Sequence, residues 1–427
     1  MGRTTIEELT EDVLLEIFNF YRLYAVEQSE GRPWKWHRLA HVCRKWRHVI
    51  SMSPRRLDLR ILCEYGAPIE SILASWPTLP LVAMFHSAGW KSKHIPKNVM
   101  VALRHPDRLC KINLHVTSSM VASIVEVTQK PCQALESVRI TVEPPTGPPI
   151  LVRNAFLGGS APHLREIKLD GIAFPFREIR QVLLSTNNLV ELHLANIPND
   201  ADFSPNDLVT GLSTLVHLKR LTVDFHYSPP FSPHTSMMYP PPRHTTLPSL
   251  TSLDFHGASE FLEDFVARID SPSLGKITIK LFNDIFFEIP QFCQFIPRLD
   301  ALMSPSHASV NHSVDSVSVY LEGWNILCKR CFLGTSCRQL DWQVSFVTQI
   351  FSQLSPLLSS VRSLSIYSGD ELPTGEEDMD STQWLELFRP FTQVERVNVR
   401  RKLVPGIVQA LAEEDQEEDM LIRENLL

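Results

Sequence analysis

The sequence predicts a short all-α N-terminal segment followed by a long α/β solenoid of strand–helix units. Three observations predict it. Residues 9–50 hold two amphipathic helical patterns. Between about residue 56 and 405 one short alternating phrase returns ten times. A chain of 427 residues with 44% hydrophobic content is globular, and it is too long for one compact core of ordinary size, so it needs several domains or a repeat array.

The first helical pattern reads Leu9-Thr10-Glu11-Asp12-Val13-Leu14-Leu15-Glu16-Ile17-Phe18. Leu9, Val13 and Ile17 recur every four residues with Leu14 and Phe18 beside them, which predicts one apolar face at helical spacing. Thr10 is placed to cap the helix, and Glu11 and Asp12 lie in its first turn, where negative charge meets the positive end of the dipole. In the second pattern Leu39, Val42, Cys43, Trp46, Val49 and Ile50 form the stripe, while Arg38, Arg44, Lys45 and Arg47 face away. Two helices this short cannot cover that much surface against each other. A third helix or a partner must cover the rest.

These residues resemble the F-box family, whose pattern is Leu-Pro-x-Glu-Val-Leu-x-x-Ile-Phe, a spacer, then Val-Cys-x-x-Trp. The pattern is met at Leu9, Val13, Leu14, Ile17, Phe18, Val42, Cys43 and Trp46. The match covers about a tenth of the chain and is specific, because its last three residues fall at fixed spacing on the predicted face. Thr10 stands where the family usually has proline, and the spacer from Tyr21 to His37 is roughly ten residues longer than usual.

The repeated phrase is Leu or Val, any residue, polar, aliphatic, polar, aliphatic or Phe. It starts at Leu109, Leu135, Leu164, Leu189, Leu218, Leu250, Leu274, Val314, Val361 and Val394. Composition alone gives on the order of one or two matches, so the excess is a repeat. Apolar residues at period two predict half-buried strands. Helical spacing fills the gaps between phrases, as in Phe176 to Leu184, Phe261 to Ile269 and Trp342 to Leu354. Up to Leu274 the phrases start 26, 29, 25, 29, 32 and 24 residues apart, the period of the leucine-rich repeats, which the region resembles. Their usual asparagine or cysteine is missing, and Ile172 and Ile197 stand in its place, so the expectation is an irregular horseshoe. In such strands the fifth position of each phrase points outward. Stacking then aligns Asn113, Arg139, Lys168, His193, Thr222, Asp254 and Thr278 in one polar row, a candidate target-binding surface on the concave face.

Residues 1–55 are thus read as the F-box, 56–405 as the solenoid and 406–427 as an acidic tail. A loop with seven prolines spans Tyr227 to Pro248, and an insertion is expected at about 303–340, where Leu299 to Leu302 take the repeat position and Val314 to Val319 with Trp324 to Cys331 form a hairpin. Gly369 to Ser381 reads as a further polar loop. Before the first phrase, alternation over Arg56 to Ile61 predicts one more strand.

The formal net charge of -7 is unevenly spread. Residues 413–427 hold seven acids against Arg423 alone, a solvated end by composition. Residues 31–60 hold nine basic groups against Asp58 alone, interleaved with Trp34, Trp36 and Trp46. Nucleic acid is one reading of such a patch. Docking on an acidic protein partner is favoured, since the patch shares a helix with the F-box residues. Eight dispersed cysteines make no disulfide framework, and Cys328, Cys331 and Cys337 fall one ligand short of a structural zinc site, so neither metal nor cofactor is expected. No phosphate-binding loop, nucleophile elbow or His-Glu-x-x-His pair occurs, and an enzyme is not expected. Nor does any apolar run approach a membrane span, and a cytoplasmic or nuclear protein is expected.

The F-box resemblance implies that Leu9, Val13, Leu14, Ile17, Phe18, Leu39, Val42, Cys43 and Trp46 dock on the Skp adaptor. Through it the chain would join the cullin and RING subunits of a ubiquitin ligase, with the repeats holding an unknown target protein. A scaffold bound to the Skp adaptor that delivers no target is the alternative. N-terminal F-box, long spacer and irregular repeats together are similar to the large F-box sets of mushroom-forming fungi.

Overall fold

The structure is a computed structural model. It describes residues 9–27, 35–64, 69–86, 94–143, 150–152, 156–197, 204–226, 244–282, 289–298, 305–313, 316–323, 330–336, 340–368, 381–399, 403–410 and 412. Outside them lie most of the proline-rich loop, Leu299 to Leu302, Val314, Cys328 and Cys337, nearly all of the run from Gly369, and the acidic residues from 413 onward. The tail expected from residue 406 starts later, because residues 404–410 are helical and Ile407 and Ala410 are buried. The chain forms two compact units, Met1–Phe174 and Pro175–Leu427.

The first unit opens with helices α1 (Glu11–Glu27), α2 (His37–Ala40) and α3 (Arg44–Met52). It continues with β1 (Ile61–Cys63), α4 (Ile69–Ser75), β2 (Leu81–His86), α5 (Lys97–Leu103), β3 (Leu109–Thr117), α6 (Val121–Val127) and β4 (Ser137–Glu143). The two-residue β5 (Ile150–Leu151), then β6 (Glu166–Asp170) and β7 (Ile172–Ala173), complete it. Strands β1, β2, β3, β4 and β6 pair in that order, all parallel.

Both ends of the helical segment follow from local chemistry. The Thr10 hydroxyl accepts from Val13 N–H at 3.5 Å, and the Cys43 thiol accepts from Trp46 N–H at the start of α3. The strand expected over Arg56 to Ile61 begins only at Ile61, because residues 54–58 turn and Asp58 takes a left-handed φ of 48°. A short polar side chain tolerates that conformation. Leu57 and Leu59 are buried all the same.

The second unit begins with α7 (Phe176–Ser185), β8 (Glu191–Ile197), α8 (Pro205–Leu212), β9 (Arg220–Phe225) and β10 (Thr245–Thr246). Next come β11 (Ser252–Gly257), α9 (Ser259–Val266), β12 (Ile269–Asp270), β13 (Lys276–Leu281) and α10 (Pro290–Phe295). After them follow β14 (Pro305–Ser313), β15 (Ser316–Gly323), β16 (Arg330–Ser336), α11 (Leu340–Gln353), α12 (Ser355–Leu358), β17 (Ser363–Ser368), α13 (Ser381–Phe388) and β18 (Arg396–Val399).

Strands β8, β9, β11 and β13 run parallel side by side. The rhythm then breaks. Beyond β13 lies β16, parallel to it, and β15 is antiparallel to both β16 and β14. Parallel pairing resumes from β14 to β17 and β18. The insertion is therefore a three-stranded meander entered at its far end, and the phrase at Val314 belongs to its middle, reversed strand.

Each of the ten phrases has its last residues in a strand, and in each of the first seven the first, fourth and sixth residues are buried while the third and fifth are partly or fully exposed. Helices cover the buried face, as Phe176, Ile179, Val182 and Leu183 of α7 do. At α8, Pro205 occupies the first turn and the Ser204 hydroxyl accepts from Asp207 N–H at 3.1 Å, which fixes where the helix begins. Ile172 and Ile197 are buried, so apolar packing stands where a polar ladder would. Gly171 turns the chain after β6 with φ 70°, and a Cβ there would meet the Val142 Cβ at 3.2 Å.

One polar pair is sealed in the second core. Gln343 Nε2 donates to the Ser313 carbonyl at 2.8 Å, which leaves Oε1 to accept from His312 Nδ1 at 2.9 Å. The other ring nitrogen, Nε2, is buried with no partner among the described residues. Burial pushes His312 down to about 4, against the smaller upward effect of the Gln343 hydrogen bond. Among the described residues no helix is long and apolar enough to cross a membrane.

Candidate docking and binding surfaces

The helical segment carries two apolar faces. Leu14 and Phe18 are fully buried, and the Phe18 ring meets the Trp46 ring edge-on, centroids 4.9 Å apart. On the outside, Val13 is 45% exposed, Ile17 44%, Phe20 71% and Tyr24 66%. At 100° per residue these four positions fall within about 60° of one another, a stripe about 17 Å long. Val42 is likewise 57% exposed, whereas Leu9, Leu39, Cys43 and Trp46 are half-buried.

The nine residues expected on one docking face are thus divided. Adjacent residues such as Val13 and Leu14 diverge by about 100° around a helix, so one of them turns inward. Phe20 and Tyr24 extend the outer stripe beyond the motif. Their i, i+4, i+7, i+11 spacing from Val13 was legible in the sequence. Around the stripe, Lys45 Nζ donates to the Leu9 carbonyl at 2.6 Å, and Arg56 reaches Glu16 at 2.8 Å and Asp12 at 3.6 Å.

On the open face of the first unit's strands, Asn113 lies beside Arg139 and Arg139 beside Lys168 in register. This basic pair is not available as a bare anion site. Glu166 Oε1 accepts from Arg139 Nε at 2.8 Å and lies 3.4 Å from Lys168 Nζ, while its Oε2 accepts from Ser137 at 2.9 Å. Burial works to raise the Glu166 carboxyl, but the hydrogen bonds from Arg139 and Ser137, with the Arg139 and Lys168 charges, hold it below its ordinary value. Glu166 stands two residues before Lys168 in the same strand and so shares its face.

In the second unit the row runs from His193 through Thr222 and Asp254 to Thr278, each beside the next. Burial raises the Asp254 carboxyl, against the opposing charges of Lys280 and Lys276. The row then continues, through the meander, to Phe332, Tyr320, Ser309, Ser365 and Asn398. Here a groove of about 750 Å³ opens, lined by Ser309, Asn311, Tyr320, Glu322, Tyr367, Asn398 and Val399. Tyr320 stands edge-on to Phe332 at 4.8 Å, and Tyr367 is exposed. Ser309, Asn311 and Asn398 line the groove between Tyr320 and Tyr367. The sequence row stopped at Thr278 because the phrase spacing breaks there.

Cys331 is fully buried, and burial pushes its thiol up to about 12. Among the described residues no group of three His, Cys, Asp or Glu side chains is placed to hold a metal ion. No protein-family model matches this chain, and no curated protein matches it.

Proposed function

We propose that the chain is the target-recognition subunit of a Skp-cullin-F-box ubiquitin ligase. In this reading α1, α2 and α3 form the F-box, and the strand–helix units form a leucine-rich-repeat-like solenoid that holds the target on its open face. The subunit performs no chemistry. It supplies proximity, raising the effective concentration of the target at catalytic subunits carried elsewhere in the complex.

The observation that carries this reading is the division of α1. Leu14 and Phe18 are buried, with Phe18 edge-on to Trp46, while Val13, Ile17, Phe20 and Tyr24 form an uncovered apolar stripe on a separate face. A helix whose inner face is already satisfied gains nothing within its own fold from a second apolar face, and apolar stripes at this spacing lay into grooves of partner proteins. The exposed Arg44 on α3 suits an acidic partner.

Pull-down of the Skp adaptor by the full chain tests this. Val13→Asp and Ile17→Asp each remove capture without unfolding the segment, because both side chains already lie in water. Capture that survives both substitutions sinks the reading.

A further inference from the structure

A second concave site lies in the first unit, away from the α1 stripe. Between α2, α3, β1 and α4 there is a cavity of about 510 Å³, within the usual range for small-molecule sites. Two indoles build one wall. Trp36 and Trp76 meet edge-on with centroids 5.1 Å apart, and the Trp36 N–H donates to the Arg60 carbonyl at 2.9 Å, which fixes its ring.

The charge around this wall is one-sided. Lys35, His37, His41 and Arg47 line the cavity against Glu64 alone. Arg60 also lines it, but its guanidinium is held by Asp58 and by Glu136, both at 2.9 Å. Arg47 is different: its Nε donates to the Ala40 carbonyl at 3.0 Å, pinning the side chain across from α3 to α2, and it has no carboxylate partner among the described residues. Lys35 has none either. Burial, then the charges of Arg38, His41 and Lys35, lower the proton affinity of His37, as an uncompensated positive potential does.

Like charges gathered round an aromatic pocket oppose folding unless something in the pocket offsets them. A guanidinium held at the rim is preorganised to take a carboxylate or phosphate through paired hydrogen bonds, and indole faces take a flat ring. We propose that this cavity binds a small organic anion built on a flat ring system, an aryl carboxylate or a nucleoside monophosphate. The ring lies against Trp36 and Trp76, and the anionic group meets Arg47 and Lys35. Occupancy ties the helical segment to the first strand of the sheet. The inference is independent of the adaptor reading.

Calorimetric titration of the full chain tests it, with 1-naphthoate and adenosine monophosphate as ligands and 1-naphthol and inorganic phosphate as the ring and the anion alone. We expect one site per chain for naphthoate or the nucleotide, the tighter of the two naming the source. That ligand binds at least about tenfold more weakly to Arg47→Gln and to Trp76→Ala, and its ring or anion alone binds at least about tenfold more weakly than the whole. Arg47 is exposed, so Arg47→Gln carries the test even where Trp76→Ala fails to fold. The proposal is overturned by no binding of either ligand at millimolar concentration, by binding unchanged in Arg47→Gln, or by naphthol or phosphate alone matching the ligand that contains it. Adaptor capture through Val13 and Ile17 is a separate measurement, and either result stands without the other.

Discussion

Phe18 of α1 and Trp46 of α3 meet edge to face, ring planes inclined at 66°, and this contact joins the two helices that the longer spacer separates. The Trp46 indole N–H is buried without an acceptor among the described residues. Trp46→Ala should therefore cost about 3 kcal/mol by opening a cavity, while Trp46→Phe, which keeps ring contact and removes the orphaned donor, costs far less. Urea denaturation monitored by helical circular dichroism checks the order. Equal losses for the two variants would show that the ring contact does not hold the segment.

The Arg139–Glu166–Lys168 cluster changes what charge reversal on this face should do. With Arg139→Glu and Lys168→Glu together, the Glu166 carboxylate loses both cations and gains two like charges, so the double variant is destabilised rather than a clean probe of target binding. Glu166→Gln is the better probe, since it removes the carboxylate that holds Arg139 and should raise salt-sensitive affinity for acidic peptides. Fluorescence anisotropy with a polyglutamate peptide reads this. Binding equal to that of the unaltered chain would mean that the basic pair was free all along.

Glu166 also sets a pH dependence. Its carboxyl is lower in the fold than in the unfolded chain, so its contribution is present above the ordinary carboxylate value and is lost as pH falls through the lowered one. Glu166→Gln should flatten the acid limb of the stability curve in that window.

His312 acts in a different window. Its folded value of about 4 lies below the unfolded value near 6.5, so the proton binds the unfolded chain first. Stability is complete above pH 6.5, declines as pH falls toward 4 and levels off below, a loss on the order of 3 kcal/mol. Replacing both members of the sealed pair, His312→Leu with Gln343→Leu, removes this step without orphaning either partner. The stability difference between the two proteins, followed from pH 7 to pH 4 by urea unfolding, should shrink or reverse. A constant difference would show that His312 is protonated in the fold.

Tyr367 is exposed on the wall of the 750 Å³ groove. Tyr367→Ala should lower the yield of co-purified target while leaving the melting temperature within about 1 °C, because a surface side chain away from caps and cores contributes within roughly ±0.5 kcal/mol to stability. An unchanged set of co-purified proteins would remove the groove from target capture.

Most of the strand–helix alternation was legible because period two and period 3.6 are written directly into residues such as Leu164, Ile167 and Leu169 or Phe176, Ile179 and Leu183. The two faces of α1 were legible only in part, since Val13 and Leu14 are equally apolar and only packing tells which turns inward. Glu166 lies two residues before Lys168, a spacing the sequence carries, but its contact with Arg139 on the neighbouring strand appears only once the strands pair. The meander was hidden because strand direction leaves no mark on a period-two pattern. The indole-lined cavity gathers residues from 35 to 76 that share no local pattern, and only the tertiary fold assembles it.

The reversed insertion bears on the order in which the second unit assembles. In a regular array each new strand finds its neighbour as soon as the preceding unit has formed, and growth proceeds along one dimension. Here β14 follows β13 in the chain but lies three strands away, with β15 and β16 between them. Strand β17 has β14 as its inner neighbour, so its docking depends on a hairpin that must itself first close on β13. Such non-local closure is slow compared with nearest-neighbour growth. Pulse-labelled hydrogen exchange during refolding should therefore protect amides of β9, β11 and β13 first, the meander next and β17 last, and early protection of β17 would contradict that order.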